Sequence, residues 1–478
     1  MILAFALSNF VYAQADSIDV FIKSQMQKRR IPGLQLAIVQ NGKIVKSGNY
    51  GWANLQDSIP VSDASMFTIN SITKAFTGVA IMQLVEGGKL NLSSPVSDYL
   101  PGLPENWKKV TIQQLLSHTS GIPDIVDEEE SVLIAQPEEK AWNTILTLPM
   151  DYNPGEKFSY NQTNYLLLGR IIDTLSGMSF REFIIKNQLQ IVGMDRTIRA
   201  GFGATKDLVT NAAGGYRFSK GKIINMFFSM PPSLQTAAGM SSTAKELAEW
   251  IITLNNHQLL KEKESMISLW TPAKLNNGKI GAFTSLLNGY AVGWPIVARN
   301  EHPAAAPVGG GRSALFVYPK DGLSIVVLTN LAGGSPEAFI DEIAGFYIPD
   351  MKESNGFGLS SSIKLLRTEL EKSGYKNAAV EFKKIKNKNT GYEINEKEIN
   401  SWGYKLAGQN RMKDALEIFK FTVFLYPKSS NAFDSLGEIY AELGDKDLAI
   451  KNYQRSLDLD PRNNHAAAEI KRLKSPRL

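Results

Sequence analysis

The sequence of 478 residues contains no cysteine and only four histidines, His118, His257, His302 and His465, which are far apart along the chain. Without cysteine there is no disulfide scaffold, thiol nucleophile or thiolate metal site. With so few histidines, a multi-histidine zinc centre is also excluded. Gly-x-Gly-x-x-Gly and P-loop patterns are missing, so nothing calls for a nucleotide or other cofactor. Gly-x-Ser-x-Gly, the strand-to-helix nucleophile turn of α/β-hydrolases, is missing too. The composition is otherwise ordinary, with 43% hydrophobic and 21% charged residues, which excludes a disordered, collagen-like or polytopic membrane chain. Any chemistry must rest on hydroxyls, lysines and carboxylates.

The net charge of +5 is not a nucleic-acid footprint. From Met351 onward 23 Lys and Arg face 17 Asp and Glu, whereas the first 350 residues are balanced to within one charge. The basic residues of the tail alternate with acidic ones at helical spacing, as on a solvated helix face. The start, Met1 to Ala13, is a short apolar stretch ending in Val11-x-Ala13. It reads as a signal peptide over 1–13, too short to be a stable membrane span, and implies a periplasmic or secreted protein.

The length is roughly three times the ~150 residues of a typical domain. A helical opening from Ser17 to Arg30 gives way to a strand at Leu34–Val39, the turn Asn41-Gly42 and a return strand from Ile44. A second hairpin, Ala314–Tyr318 and Leu323–Thr329 around Pro319-Lys320-Asp321-Gly322, closes the same region, and helix-forming sequence follows from Pro336 to Phe346. Hairpins at both ends of a helical stretch predict an α+β domain over 17–348, its antiparallel sheet built from both termini. The polar stretch 349–362 reads as a linker. Residues 363–478 read as an α-helical repeat domain. Gly403 and Gly437, Ala415 and Ala449, Phe419 and Tyr453, and Pro427 and Pro461 are each 34 residues apart, the tetratricopeptide period. A weaker unit lies around Leu365 to Phe382. Residues 396–464 are the expected docking surface for a protein or peptide partner.

The chemical signal is Phe67-Thr68-Ile69-Asn70-Ser71-Ile72-Thr73-Lys74. Apolar residues at Ile72, Phe76, Val79 and Ala80 have helical spacing and Gly87-Gly88 ends the helix, so Ser71 and Lys74 share one face. A serine hydroxyl needs a base to become a nucleophile, and a lysine whose pKa is lowered by burial can be that base. The helix N-terminus adds N–H groups and partial positive charge for a developing oxyanion.

Downstream, Pro154-Gly155-Glu156-Lys157-Phe158-Ser159-Tyr160-Asn161-Gln162 precedes Tyr165-Leu166-Leu167-Leu168-Gly169-Arg170-Ile171-Ile172. With Leu115-Leu116-Ser117-His118-Thr119-Ser120-Gly121, Gly239-Met240-Ser241-Ser242-Thr243, Gly293-Trp294 and Gly310-Gly311-Arg312-Ser313, this resembles the serine β-lactamase and penicillin-binding-protein superfamily. The likeness is to its class C β-lactamase-related branch and covers about residues 18–347. The resemblance implies Ser71 as the acylated nucleophile, Lys74 as its activating partner and Tyr160 as general base and acid, its pKa lowered by Lys74. It implies backbone N–H groups of Ser71 and Gly311 as the oxyanion hole. Gln162, Val308, Gly309, Gly310 and Arg312 would line the substrate, and His118 would pack or cap.

Two positions depart from the family pattern. Tyr-x-Asn ends in Gln162, and the third motif, Lys/His-Thr/Ser-Gly, reads Val308-Gly309-Gly310. Val308 removes the cation for a substrate carboxylate and Gly309 a hydroxyl, which weighs against β-lactam recognition more than against acyl transfer. The expected function is a serine hydrolase forming an acyl-enzyme on a small ester or amide. The alternatives are a β-lactamase or D-Ala-D-Ala carboxypeptidase acting on cell-wall peptides, and a catalytically silent protein that binds through its repeats.

Overall fold

The computed structural model describes residues 17–126, 137–202, 208–226, 231–281 and 283–475; the expected signal peptide lies outside them. The chain divides into two compact units, 1–348 and 349–478. In the first, a helix over 17–29 (α1) leads into β1 (Gly33–Gln40) and β2 (Lys43–Asn54). Asn41 and Gly42 join them at φ of +50° and +74°. Asn-Gly takes this left-handed pair at low cost, and the resulting twist matches that of the strands.

Seven more strands complete the sheet: β3 (Ile59–Pro60), β4 (Gly289–Tyr290), β5 (Pro295–Val297), β6 (Ala304–Ala305), β7 (Val308–Gly309), β8 (Ser313–Tyr318) and β9 (Leu323–Thr329). Their order is β3-β2-β1-β9-β8-β6-β5-β4, with β7 paired to β8. β1 lies antiparallel to β9, with Leu34 opposite Thr329 and Gln40 opposite Leu323. The two terminal hairpins therefore form one sheet, as hairpins at both ends of a helical stretch predict. β8 and β9 are buried along their whole length, which requires helices over both faces.

Between the hairpins lie α2 (Thr73–Glu86), α3 (Gln162–Ser176) and α4 (Ala244–Asn255). α4 packs on β1, β2 and β9 while α2 packs on α3. α2 is almost wholly buried, its polar residues Thr73, Lys74 and Thr77 included, as expected of a helix at the centre of a large core.

The second unit contains α5 (Ser361–Ser373), α6 (Ala378–Lys388), α7 (Glu396–Gly408), α8 (Met412–Leu425), α9 (Ser430–Glu442), α10 (Lys446–Leu459) and α11 (Asn464–Lys474). A Cβ on Gly403 would lie 2.7 Å from the Phe419 ring, and one on Gly437 2.8 Å from the Tyr453 ring. Each glycine thus lets an aromatic ring of the next helix close against its own. The stretch 349–362 begins this second unit. It holds two 3-10 turns, Pro349–Met351 and Glu353–Asn355, and Arg367 donates to the Ser354 carbonyl at 2.7 Å.

Candidate active site

Ser71 sits in a 3-10 turn, Asn70–Ile72, that runs straight into α2. The approach to this turn is fixed by a short ribbon pairing Phe67 with Ser242 and Thr68 with Ser241, and by the Ile69 N–H donating to the Met240 carbonyl at 3.0 Å. Asn70 takes φ of +47°, which an asparagine tolerates better than most side chains. α2 is seated by a close backbone approach. A Cβ on Gly78 would meet the Val292 carbonyl at 2.2 Å, and one on Gly293 the Lys74 carbonyl at 2.4 Å. Both positions admit only glycine, which explains the Gly293-Trp294 segment.

One turn into the helix, Lys74 is completely buried. Its Nζ lies 3.5 Å from Ser71 Oγ and donates to Gln162 Oε1 at 2.8 Å and to the Ala237 carbonyl at 3.1 Å. It also stands over the rings of Tyr160 at 4.7 Å and Tyr165 at 5.0 Å. Burial pushes the ammonium pKa down to about 7, opposed by the charge of Asp124. A dry lysine with carbonyl acceptors and no direct carboxylate partner is able to lose its proton near neutrality.

Tyr160 immediately precedes α3, whose N-cap is Asn161. The tyrosine is held through its neighbours: the Asn161 N–H donates to His118 Nδ1 at 3.1 Å, and Asn161 Nδ2 to the Ile122 carbonyl at 2.6 Å. His118 is fully buried, 4.4 Å from the Tyr160 ring centre, and its pKa is held well down by burial and by Lys74. A neutral imidazole accepting a backbone N–H is a packing element here, not a triad base.

The electrostatics of Tyr160 differ from the expectation. Burial raises its pKa from the ordinary value, and hydrogen bonds with Ser71 and Gln162 only partly offset this. The reason is geometric: the Lys74 ammonium lies over the ring face and donates to Gln162 instead. Among these groups Lys74, not Tyr160, is the one brought close to neutral.

Gln162 enters the site as the first residue of α3, its longer side chain still reaching Lys74. Its backbone N–H donates to Asp124 Oδ1 at 2.8 Å, and the Val126 N–H reaches the same oxygen at 3.2 Å. Burial pushes Asp124 up to about 6, against these backbone donors, the Thr163 N–H and the charge of Lys74. Sequence reasoning did not single out Asp124. The available signal was an acidic residue closing the run Ser120-Gly121-Ile122-Pro123-Asp124, but its partner at position 162 is visible only after folding.

The third motif passes beside the nucleophile. Val308 pairs with Ala314 and Gly309 with Ser313, so β7 and β8 form a tight hairpin whose Gly310 and Gly311 take φ of +55° and +60°. A Cβ at Gly309 would lie 2.1 Å from the Ile69 carbonyl and 2.5 Å from Ser313 Oγ. There is no room for the expected threonine or serine. The Ser313 hydroxyl occupies that space, donating to the Ile69 carbonyl at 2.9 Å. A Cβ at Gly310 would stand 3.1 Å from Asn70 Nδ2, and the Gly311 carbonyl accepts from Ser335 N–H at 2.9 Å. Arg312 is buried, with Nη2 2.9 Å from Met226 Sδ and Nε without a partner. Among the described residues no cluster suited to a metal ion occurs, and no helix is long and apolar enough to cross a membrane.

The Beta-lactamase family profile matches residues 18–347. The chain belongs to that family, whose members are serine hydrolases. Protein flp of Staphylococcus aureus (strain NCTC 8325 / PS 47) is 31% identical over 323 residues, 66% of this chain and 62% of that protein. The chain thus matches less than two thirds of the length of that relative. A structure of the octameric penicillin-binding protein homologue from Pyrococcus abyssi is similar with a TM-score of 0.60 at 25% identity, over 74% of this chain and 81% of its own. The penicillin binding protein from Bacillus halodurans has a TM-score of 0.55 at 27% identity, over 67% and 99%.

Proposed function

We propose that the chain forms an acyl-enzyme at Ser71 on a small ester or amide. The observation that carries this reading is the buried Lys74 ammonium 3.5 Å from Ser71 Oγ, its pKa pushed down to about 7. Such separations tighten when substrate closes a site. Neutral Lys74 takes the Ser71 proton as Oγ bonds to the carbonyl carbon. The carbonyl oxygen becomes the oxyanion, received by the N–H groups of Ser71 and Gly311, each such donor being worth roughly 3 kcal/mol. The proton then passes through the Tyr160 hydroxyl to the departing alkoxide or amine. Water completes the cycle by the same route in reverse. Gln162 holds Lys74 in place, while Val308, Gly309, Gly310 and Arg312 border the acyl group.

An apolar Val308 where the family carries a cation favours esters and neutral amides over β-lactams. Among the similar structures are a penicillin binding protein and a homologue of one, so the β-lactam reading is tested in parallel. The helices of residues 396–464, at the tetratricopeptide period, would dock a peptide or protein, and the N-terminal stretch would direct the protein to the periplasm or outside. The deciding experiment labels the full chain with a fluorophosphonate and with a fluorescent penicillin, and locates the adduct by mass spectrometry. An adduct on Ser71 that is lost in Ser71→Ala is expected. Equal labelling of Ser71→Ala would overturn the assignment.

A further inference from the structure

Asp124 is an acidic group at this site that the mechanism above leaves unused. It is not at the reacting atoms. It stands behind Gln162, and that residue connects two contacts: the side-chain Oε1 accepts from Lys74 Nζ at 2.8 Å, and the backbone N–H donates to Asp124 Oδ1 at 2.8 Å. The carboxylate also receives the Val126 N–H at 3.2 Å. Asp124 is therefore fixed from its own segment and from the first turn of α3, one residue away from the ammonium that faces Ser71.

We propose that Asp124 is a positioning residue that does two things: it anchors the Gln162 end of α3, and, from behind Gln162, it places a negative charge that favours the ammonium form of Lys74. The inference rests on the reading of Lys74 as the base for Ser71. The other ionisable groups around Lys74 cannot take this role. Tyr160 and Tyr165 are kept protonated by burial, and His118 is kept neutral. Asp124 is the charged group that raises Lys74 against desolvation, and Lys74 lowers Asp124 in return. Each charge thus favours the ionised form of the other, against the burial that disfavours both. Without Asp124, burial alone would push Lys74 further down. It would be deprotonated at lower pH, but it would also be a weaker base once free.

The test measures the rate of fluorophosphonate labelling at Ser71 from pH 5 to 9 on the full chain, for wild type and Asp124→Asn. Asparagine retains an oxygen for the Gln162 N–H and removes the charge. The wild-type rate is expected to rise through a limb near neutrality. In Asp124→Asn that limb should move to lower pH by about half a unit or more, with the high-pH plateau falling less than about tenfold. Asp124→Ala should show the same shifted limb and a further drop in plateau, since the N–H groups of Gln162 and Val126 lose their acceptor. Each variant is scored after its circular dichroism and melting show it folded. Asp124→Ser, which keeps an acceptor oxygen, takes over if Asp124→Asn does not fold. A limb that stays at the wild-type pH in a folded, uncharged variant overturns the inference and leaves Asp124 as a helix anchor alone. Absence of wild-type labelling at every pH overturns the hydrolase reading, and this inference with it.

Discussion

A lysine that is desolvated in the native state must leave a signature in stability. Lys74 titrates at about 7 in the folded protein and near 10.4 once exposed. Between these values the unfolded chain binds one more proton than the native one, so stability rises with pH. Lys74→Met keeps the length of the side chain and removes the proton site. The difference in unfolding free energy between wild type and Lys74→Met should grow in favour of wild type by about 2 kcal/mol from pH 7 to pH 9. Other ionisable groups cancel in this difference, apart from those coupled to Lys74. Asp124, at about 6, is already ionised across the window. Urea unfolding followed by tryptophan fluorescence is the suitable assay, because six of the seven tryptophans, all but Trp402, lie in residues 1–348. Parallel curves, with a difference independent of pH, would refute the argument: Lys74 would then be charged in the native state and unable to deprotonate Ser71 near neutrality.

Other consequences can be checked on the same protein. Tyr160→Phe should slow ester turnover by about two orders of magnitude or more, and with Lys74→Ala the losses should combine non-additively, since the residues act as one unit. Gly309→Ala should cut labelling of Ser71 sharply, because its Cβ would meet the Ile69 carbonyl at 2.1 Å; labelling at the wild-type rate would show that the hairpin relaxes freely. Val308→Lys should raise penicillin acylation relative to ester hydrolysis by about tenfold, the worth of a charge-assisted contact, and an unchanged ratio would point to Arg312 as the existing carboxylate site. A chain ending at Ile348 should retain ester hydrolysis within a few-fold if residues 349–478 serve docking, as activity and melting temperature together would show.

The two terminal hairpins were legible because their signals are local, whereas the five short strands β3 to β7 carry no such turn signal and were not read. Asn41-Gly42 and Pro319-Lys320-Asp321-Gly322 specify turns within a few residues, and the flanking β-rich runs supply the strands. The Ser71–Lys74 relation was legible for the same reason, being one helical turn. What could not be read were quantities created by burial. Nothing in the spacing of Tyr160 tells whether an ammonium faces its hydroxyl or its ring. The structure places Lys74 Nζ over the ring, 4.7 Å from its centre. Asp124 was missed on similar grounds: its bond to the Gln162 N–H joins residues 38 positions apart.

The two departures from the family pattern also change meaning once space is considered. Read as a string, Gly309 is a lost hydroxyl. In the fold, the Ile69 carbonyl passes too close for any side chain at 309, and the Ser313 hydroxyl fills the gap while donating to that carbonyl. Gln162 likewise looks like an imperfect asparagine, yet its extra methylene leaves the 2.8 Å contact with Lys74 intact. At Gly309 the fold keeps a donor, the Ser313 hydroxyl, on the Ile69 carbonyl, whereas Gln162 preserves the condition of a buried lysine hydrogen-bonded through neutral oxygens one turn from the serine. That condition is a stronger constraint on acyl transfer than the identity of the residues that meet it. At Val308 the question is whether Arg312, in the same hairpin and with its Nε unpartnered, replaces the lost cation, and the Val308→Lys ratio answers it.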